Sequence, residues 1–203
     1  MSEIIKKQVV VVHGGDTFDT YEEYLSFLNA YEINFEKLKI KRWKEILGER
    51  LGEDFEVVLP KMPNSMNSKY AEWKIMFEKL PQFLKDDVVL LGHSLGGIFL
   101  AKYLSENNFP KKIKATFLVS APFDTKDSDY SLGDFILPDS LENFQNQAGK
   151  IFLFHSKDDL VVPFADLEKY KKSLPNAEVM VFEDKGHFDQ TEFPELVQLI
   201  KGL

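Results

Sequence analysis

The chain has no cysteine. That excludes a disulfide framework, a thiol nucleophile and a thiolate metal site. Long apolar runs are missing as well. The stretch Val9 to Val12 is too short for the core of a signal peptide, no small-residue cleavage site follows it, and nothing approaches the ~20 apolar residues of a membrane span. Positive charge is in deficit: the net charge of −8 leaves nothing to offset phosphate repulsion and argues against a nucleic-acid partner. The densest basic stretch, Lys37, Lys39, Lys41, Arg42 and Lys44, is interleaved with Glu36 and Glu45, as on a solvated helix face. Neither glycine-rich nucleotide signature, G-x-G-x-x-G or G-x-x-x-x-G-K-[ST], occurs, and no H-E-x-x-H or similar cluster argues for a metal. These absences lead us to expect a cytoplasmic protein without cofactor or metal. The expected partner is a small-molecule substrate, with no nucleic acid and no membrane; a protein partner is left open.

What is present is a regular alternation. Its 203 residues suit one domain, 1–203, with a sizeable core. The β-branched run at 8–12 reads as a strand buried on both faces, ending in His13-Gly14-Gly15-Asp16. Residues 18–30 read as a short helix or ordered loop. Residues 34–51 read as an amphipathic helix with Phe35, Leu38, Trp43, Ile46, Leu47 and Leu51 on one side and Gly52 at its end. A strand at 55–59 and a loop with two prolines follow. Next comes a helix capped by Ser68 and running to about Leu84, with Trp73, Met76, Phe77 and Leu80 inward. Further strands are expected at 88–91, 115–120, 151–154 and 178–182. Helices are expected after Ser94, at 164–173 and at 192–201. Residues 121–149 form an irregular excursion with one short helix near 140–147. Six strand–helix alternations favour an α/β fold, a parallel sheet with helices on both faces and ligands at the carboxyl ends of its strands.

One stretch organises this pattern. In Gly92-His93-Ser94-Leu95-Gly96-Gly97 a G-x-S-x-G sequence stands between an apolar strand and a helix, the context of a nucleophile elbow. The turn is so tight that positions two residues either side of the serine must lack a bulky Cβ. Gly92 and Gly96 meet that demand. Ser94 is then exposed at a helix N-terminus, where the Leu95 N–H and the helix dipole stabilise an oxyanion. The second oxyanion donor belongs in the loop after the first strand, at Gly15 or Asp16.

A serine hydroxyl needs a base, and the base needs an orienting carboxylate. Of four histidines, His187 lies between the last strand and the last helix, and it alone completes the order Ser, Asp, His. His13 and His93 sit in tight turns, and His155 ends a strand. The carboxylate follows an intermediate strand: Asp158 and Asp159 both qualify from the residues alone, with Asp124 a further one. Five phenylalanines near strand ends, Phe18, Phe123, Phe135, Phe164 and Phe188, are candidates for the wall of an apolar substrate pocket.

GHSLGG around Ser94, SKDDLVVPF around Asp159 and GHFDQTEFPEL from Gly186 resemble the α/β-hydrolases, and more narrowly the compact serine hydrolases of the retinoblastoma-binding protein 9 family. The resemblance covers nearly the whole chain. The superfamily's acid stands in a D-x-x-V-P pattern, which Asp159 matches and Asp158 does not, so the implied triad is Ser94, Asp159 and His187. The implied fold is a short α/β-hydrolase without the two leading strands of longer members, strand order 2-1-3-4-5-6 in this chain's own count, and no large cap domain. The implied activity is a carboxylesterase-like serine hydrolase cleaving a small ester, or an amide, through an acyl-enzyme. The alternatives are an acyltransferase using the same triad, or a non-catalytic binding protein on a hydrolase fold. The L-x-C-x-E docking sequence cannot occur without cysteine, so no retinoblastoma-protein partner is expected.

Overall fold

A computed structural model describes residues 6–126 and 130–203, with Lys37 described by its backbone alone. Positions 127–129, within the 121–149 excursion, lie outside the described residues, as do positions 1–5. The architecture is a six-stranded sheet flanked by helices. Its strands are β1 (Lys7–Val12), β2 (Phe55–Val58), β3 (Val88–His93), β4 (Ile113–Val119), β5 (Lys150–Ser156) and β6 (Glu178–Phe182). The order is β2-β1-β3-β4-β5-β6 and every neighbouring pair is parallel. This is the order the resemblance implies. It reverses direction between β1 and β3, so the C-terminal ends of those strands open a crevice, the usual place for a ligand in such sheets.

Strand periodicity divides the core. Val10, Val12 and Leu90 face one layer, which holds α3 (Tyr70–Phe77), α4 (Leu95–Glu106) and α6 (Phe164–Ser173). Val9, Val11, Leu91 and Phe117 face the other, against α2 (Trp43–Leu51) and α7 (Pro194–Lys201). Because both faces are covered, β3 is buried at every position and reads as a continuous apolar run instead of an alternating one. Removing each such side chain from water contributes about 1.5–3 kcal/mol. One helix stands apart: α1 (Tyr21–Ala30) buries no residue, and a Thr20–Glu23 capping box fixes its start. Among the described residues no helix is long and apolar enough to cross a membrane.

Two expected helices are shorter than their apolar spacing suggests. The 34–51 segment breaks into a 3₁₀ turn at Lys37–Lys39 and then α2, so Phe35 and Leu38 are left exposed. The break has a local cause. The Glu45 carboxylate accepts the Arg42 N–H at 2.6 Å and starts the helix there, while the Trp43 indole turns inward to the Phe188 carbonyl. Likewise Ser68 does not cap α3. Its hydroxyl faces the Asn64 and Ser65 carbonyls, and the first amides of α3 are held by Asp134, reaching across from the excursion. α3 stops at Phe77, and Pro81 opens a separate 3₁₀ turn. The excursion contains α5 (Glu142–Gln147), close to its expected place.

Candidate active site

At the end of β3 the chain turns at Ser94 with φ 55° and ψ −126°, a conformation most side chains avoid. Four contacts impose it. The Ser94 N–H donates to the Val119 carbonyl at 2.8 Å, which ties the elbow to β4, and Gly97 N–H returns to the Ser94 carbonyl at 2.8 Å. A Cβ on Gly92 would collide with the Gly96 carbonyl, and one on Gly96 with the Val12 carbonyl. The two glycines are therefore required by close approach of backbone to backbone, as the motif's geometry demands. Gly14 packs against the serine itself: a Cβ there would lie 3.0 Å from Ser94 Cβ.

Asp159 is buried in the turn after β5 and accepts hydrogen bonds from four groups. Ser120 Oγ donates to Oδ2 at 2.6 Å, the amides of Val161 and Val162 donate to Oδ1 at 2.8 and 3.0 Å, and His187 Nδ1 lies 2.9 Å from Oδ2. Burial alone would raise its pKa. The bond and charge of His187, with Ser120 and the Val162 amide, outweigh burial and hold the carboxyl below its ordinary value. Asp158 points elsewhere. It takes the Ser156 hydroxyl at 2.5 Å and the Gly186 amide at 2.8 Å, which lower its pKa at the surface. Asp124 pairs with Lys169 at 2.7 Å, remote from this arrangement in its bonding. Ser120, in a left-handed conformation at the end of β4, carries no sequence motif that would have singled it out.

The other histidines have structural partners. His13 Nε2 accepts the Met62 amide at 2.9 Å, so its proton lies on Nδ1, 2.6 Å from the Gly14 carbonyl; burial lowers its pKa and keeps it neutral. His155 Nε2–H reaches the Val162 carbonyl at 3.0 Å and supports the Asp159 turn. His93 Nε2 lies 2.8 Å from the His187 carbonyl, so the loop carrying His187 is bonded directly to the residue before Ser94.

Of the two first-loop amides expected to face an oxyanion, Asp16 N–H is committed to the Ser65 carbonyl at 2.8 Å, which leaves Gly15. Leu95 opens α4, where the first amides have no intrahelical acceptor. A cavity of about 660 Å³ adjoins Ser94 and Leu95. Phe18 lines it, joined by Phe27 of α1, Leu132 and Val162. The four other expected pocket phenylalanines do not line it. Phe135 is wholly buried against Tyr70 and Trp73, and Phe188 is wholly buried beside Phe182 and Phe193. Phe123 stacks edge-on to Tyr170, and Phe164 to His155. A place near a strand end does not fix the layer into which a side chain turns.

The serine hydrolase family model matches residues 35–199, most of the chain. The protein belongs to that family. A curated relative, serine hydrolase RBBP9 of Rattus norvegicus, is 27% identical over 151 residues, covering 73% of this chain and 78% of its own. Among solved structures, the ydeN gene product of B. subtilis superposes with a TM-score of 0.72 at 19% identity, covering 97% of this chain and 98% of its own. A YdeN-like hydrolase of Pectobacterium atrosepticum gives 0.65 at 14% identity, covering 97% and 90%. These likenesses carry the α/β-hydrolase fold, and the family match makes this chain a serine hydrolase. Among its described residues no group of three or more His, Cys, Asp or Glu is placed to hold a metal ion.

Proposed function

We propose that this serine hydrolase cleaves a small ester or amide through an acyl-enzyme on Ser94. The observation that carries this reading is the His187–Asp159 pair. A carboxylate accepts only, so His187 Nδ1 is the donor, and the neutral ring keeps its lone pair on Nε2, the nitrogen left to act as base. His187 takes the Ser94 proton as Oγ attacks the carbonyl, Asp159 stabilises the imidazolium that forms, and the Leu95 and Gly15 amides receive the oxyanion. The proton then passes to the leaving group, and the same histidine activates water for deacylation.

The cavity beside Ser94 supports a substrate class. Its volume suits a small molecule, and Phe18, Phe27, Leu132 and Val162 offer an apolar wall. Its described lining includes Asp16, Asp19, Glu22 and Glu23 and no basic residue. This favours neutral or amine-bearing esters over anionic ones. Fluorophosphonate labelling of wild type and Ser94→Ala, with p-nitrophenyl esters of rising chain length, tests the proposal. Labelling lost in the variant and turnover peaking at one chain length are expected. A folded wild-type protein that neither labels nor turns over would overturn it.

A further inference from the structure

The loop that carries His187 is held by the first turn of α2. The Trp43 indole N–H donates to the Phe188 carbonyl at 2.8 Å, the Trp43 backbone N–H to the Gln190 carbonyl at 3.3 Å, and the Arg42 guanidinium pairs with Asp189. The carbonyl of His187 itself is held indirectly. It faces His93 Nε2 at 2.8 Å, and the other nitrogen of that ring, Nδ1, lies 2.8 Å from Lys44 Nζ. An ammonium donates and cannot accept. With Lys44 on Nδ1, that nitrogen must be the acceptor, and the single proton of neutral His93 sits on Nε2, where the His187 carbonyl needs it. In the opposite tautomer a lone pair would face the carbonyl oxygen.

We propose that Lys44 is a positioning residue: by donating to Nδ1 it reinforces the His93 tautomer that the His187 carbonyl accepts, pins that carbonyl to the elbow and sets His187 relative to Ser94. The proposal rests on the reading of Ser94 and His187 as nucleophile and base. Lys44 reaches this site through its contact with His93 Nδ1 and does not line the cavity. Three further observations support it. His93 is buried, and burial together with the Lys44 charge keeps its pKa well below the ordinary value, so the ring holds one proton and has a tautomer to fix. Burial also costs Lys44, lowering its pKa to about 8, and the Asp189 and Glu45 charges and the Trp43 ring 5.5 Å from Nζ offset only part of that cost. Finally, Phe188 adopts a left-handed φ of 54°, so the residue after His187 is in a conformation that must be held from outside.

The test compares Lys44→Met with Lys44→Arg. Met fills similar volume and donates nothing, whereas Arg donates and cannot accept. Long-range ¹H–¹⁵N correlation spectra read the His93 tautomer directly. We expect wild type and Lys44→Arg to show the Nε2–H form and Lys44→Met to shift toward Nδ1–H. With a p-nitrophenyl ester, kcat of Lys44→Met should fall about 10- to 100-fold with KM nearly unchanged, the scale of a misplaced catalytic group; Lys44→Arg should recover most of it. Lys44→Ala with added methylammonium gives a second route, because a small amine can restore the donor and with it kcat. An unchanged tautomer in Lys44→Met overturns the proposal, as does a shifted tautomer with wild-type kcat. The spectra do not depend on turnover. Wild type that shows the Nε2–H tautomer and yet fails to label with fluorophosphonate would sink the catalytic reading and leave the Lys44–His93 pin standing.

Discussion

Ser120 Oγ donates at 2.6 Å to the same Asp159 oxygen, Oδ2, that faces His187 Nδ1 at 2.9 Å. With Oδ1 saturated by two amides, the carboxylate has little freedom to rotate, and its remaining direction is toward the histidine. Ser120 therefore orients the Asp159 carboxylate. Ser120→Ala removes one of the bonds that lower the Asp159 pKa, so that pKa should rise. A loss in kcat of about tenfold is expected, in line with ~1.5 kcal/mol for one hydrogen bond to a charged group. Steady-state hydrolysis of a p-nitrophenyl ester checks it.

The neighbouring aspartates make opposite predictions. Asp159→Asn leaves the geometry but offers the histidine an amide that favours the wrong tautomer, and should cost about 10⁴-fold in kcat by analogy with serine proteases. Ser94→Ala should cost about 10⁶-fold. Asp158→Asn should stay within about tenfold, because that carboxylate binds Ser156 and the Gly186 amide and not the histidine ring. A kinetic comparison of the three variants decides the acid: Asp158→Asn proving worse than Asp159→Asn would reverse the assignment.

How much of this was legible follows from how local each requirement is. The elbow is a property of six consecutive residues, because Gly92 and Gly96 are demanded by backbone contacts within and beside one turn. It could be read from the chain. The choice between Asp158 and Asp159 could not be made from the residues alone. Both follow β5, and the partner across the loop is Gly186 N–H for one and the His187 ring for the other. Ser120 was invisible for the same reason: its role exists only because β4 and β5 are neighbours and end side by side. The apolar spacing through Phe35 and Leu38 continued that of α2, yet those side chains are exposed, since periodicity records a possible face and not whether anything covers it. Phe135 and Phe188 failed as pocket residues on the same ground: each turned into a core layer.

The partial burial of Lys44 makes a prediction about stability. Its folded pKa of about 8 lies below its unfolded value near 10.5, so between those two pH values the unfolded chain binds more protons at this site. Stability at this site therefore rises with pH across that window. Below pH 8 the cost of the buried ammonium is present in full; above about 10.5 it is relieved. Lys44→Met lacks the titration. Urea unfolding of both proteins at pH 7 and pH 9.5 should show the wild type gaining relative to the variant at the higher pH. Equal differences at the two pH values would mean that Lys44 stays solvated.

The carboxylates around the cavity set a test of substrate charge. Asp19 takes the Ser131 hydroxyl at 2.5 Å, and Glu23 is occupied by the capping box of α1. Asp16 and Glu22 also line the cavity. Asp16 is exposed at the cavity, and partial desolvation there raises its pKa, which a cation in the cavity would oppose. A unit charge about 4 Å from a carboxylate interacts by roughly 1 kcal/mol in water and about 4 kcal/mol at an effective dielectric constant of 20. An ester ending in trimethylammonium should therefore exceed its carboxylate-ended counterpart in kcat/KM by at least about tenfold. Asp16→Asn combined with Glu22→Gln should narrow that ratio, chiefly through KM, and 0.5 M salt should narrow it in the wild type as well. If the carboxylate-ended ester is the better substrate, the acidic lining does not face the acyl or alcohol group, and the substrate occupies another path to Ser94.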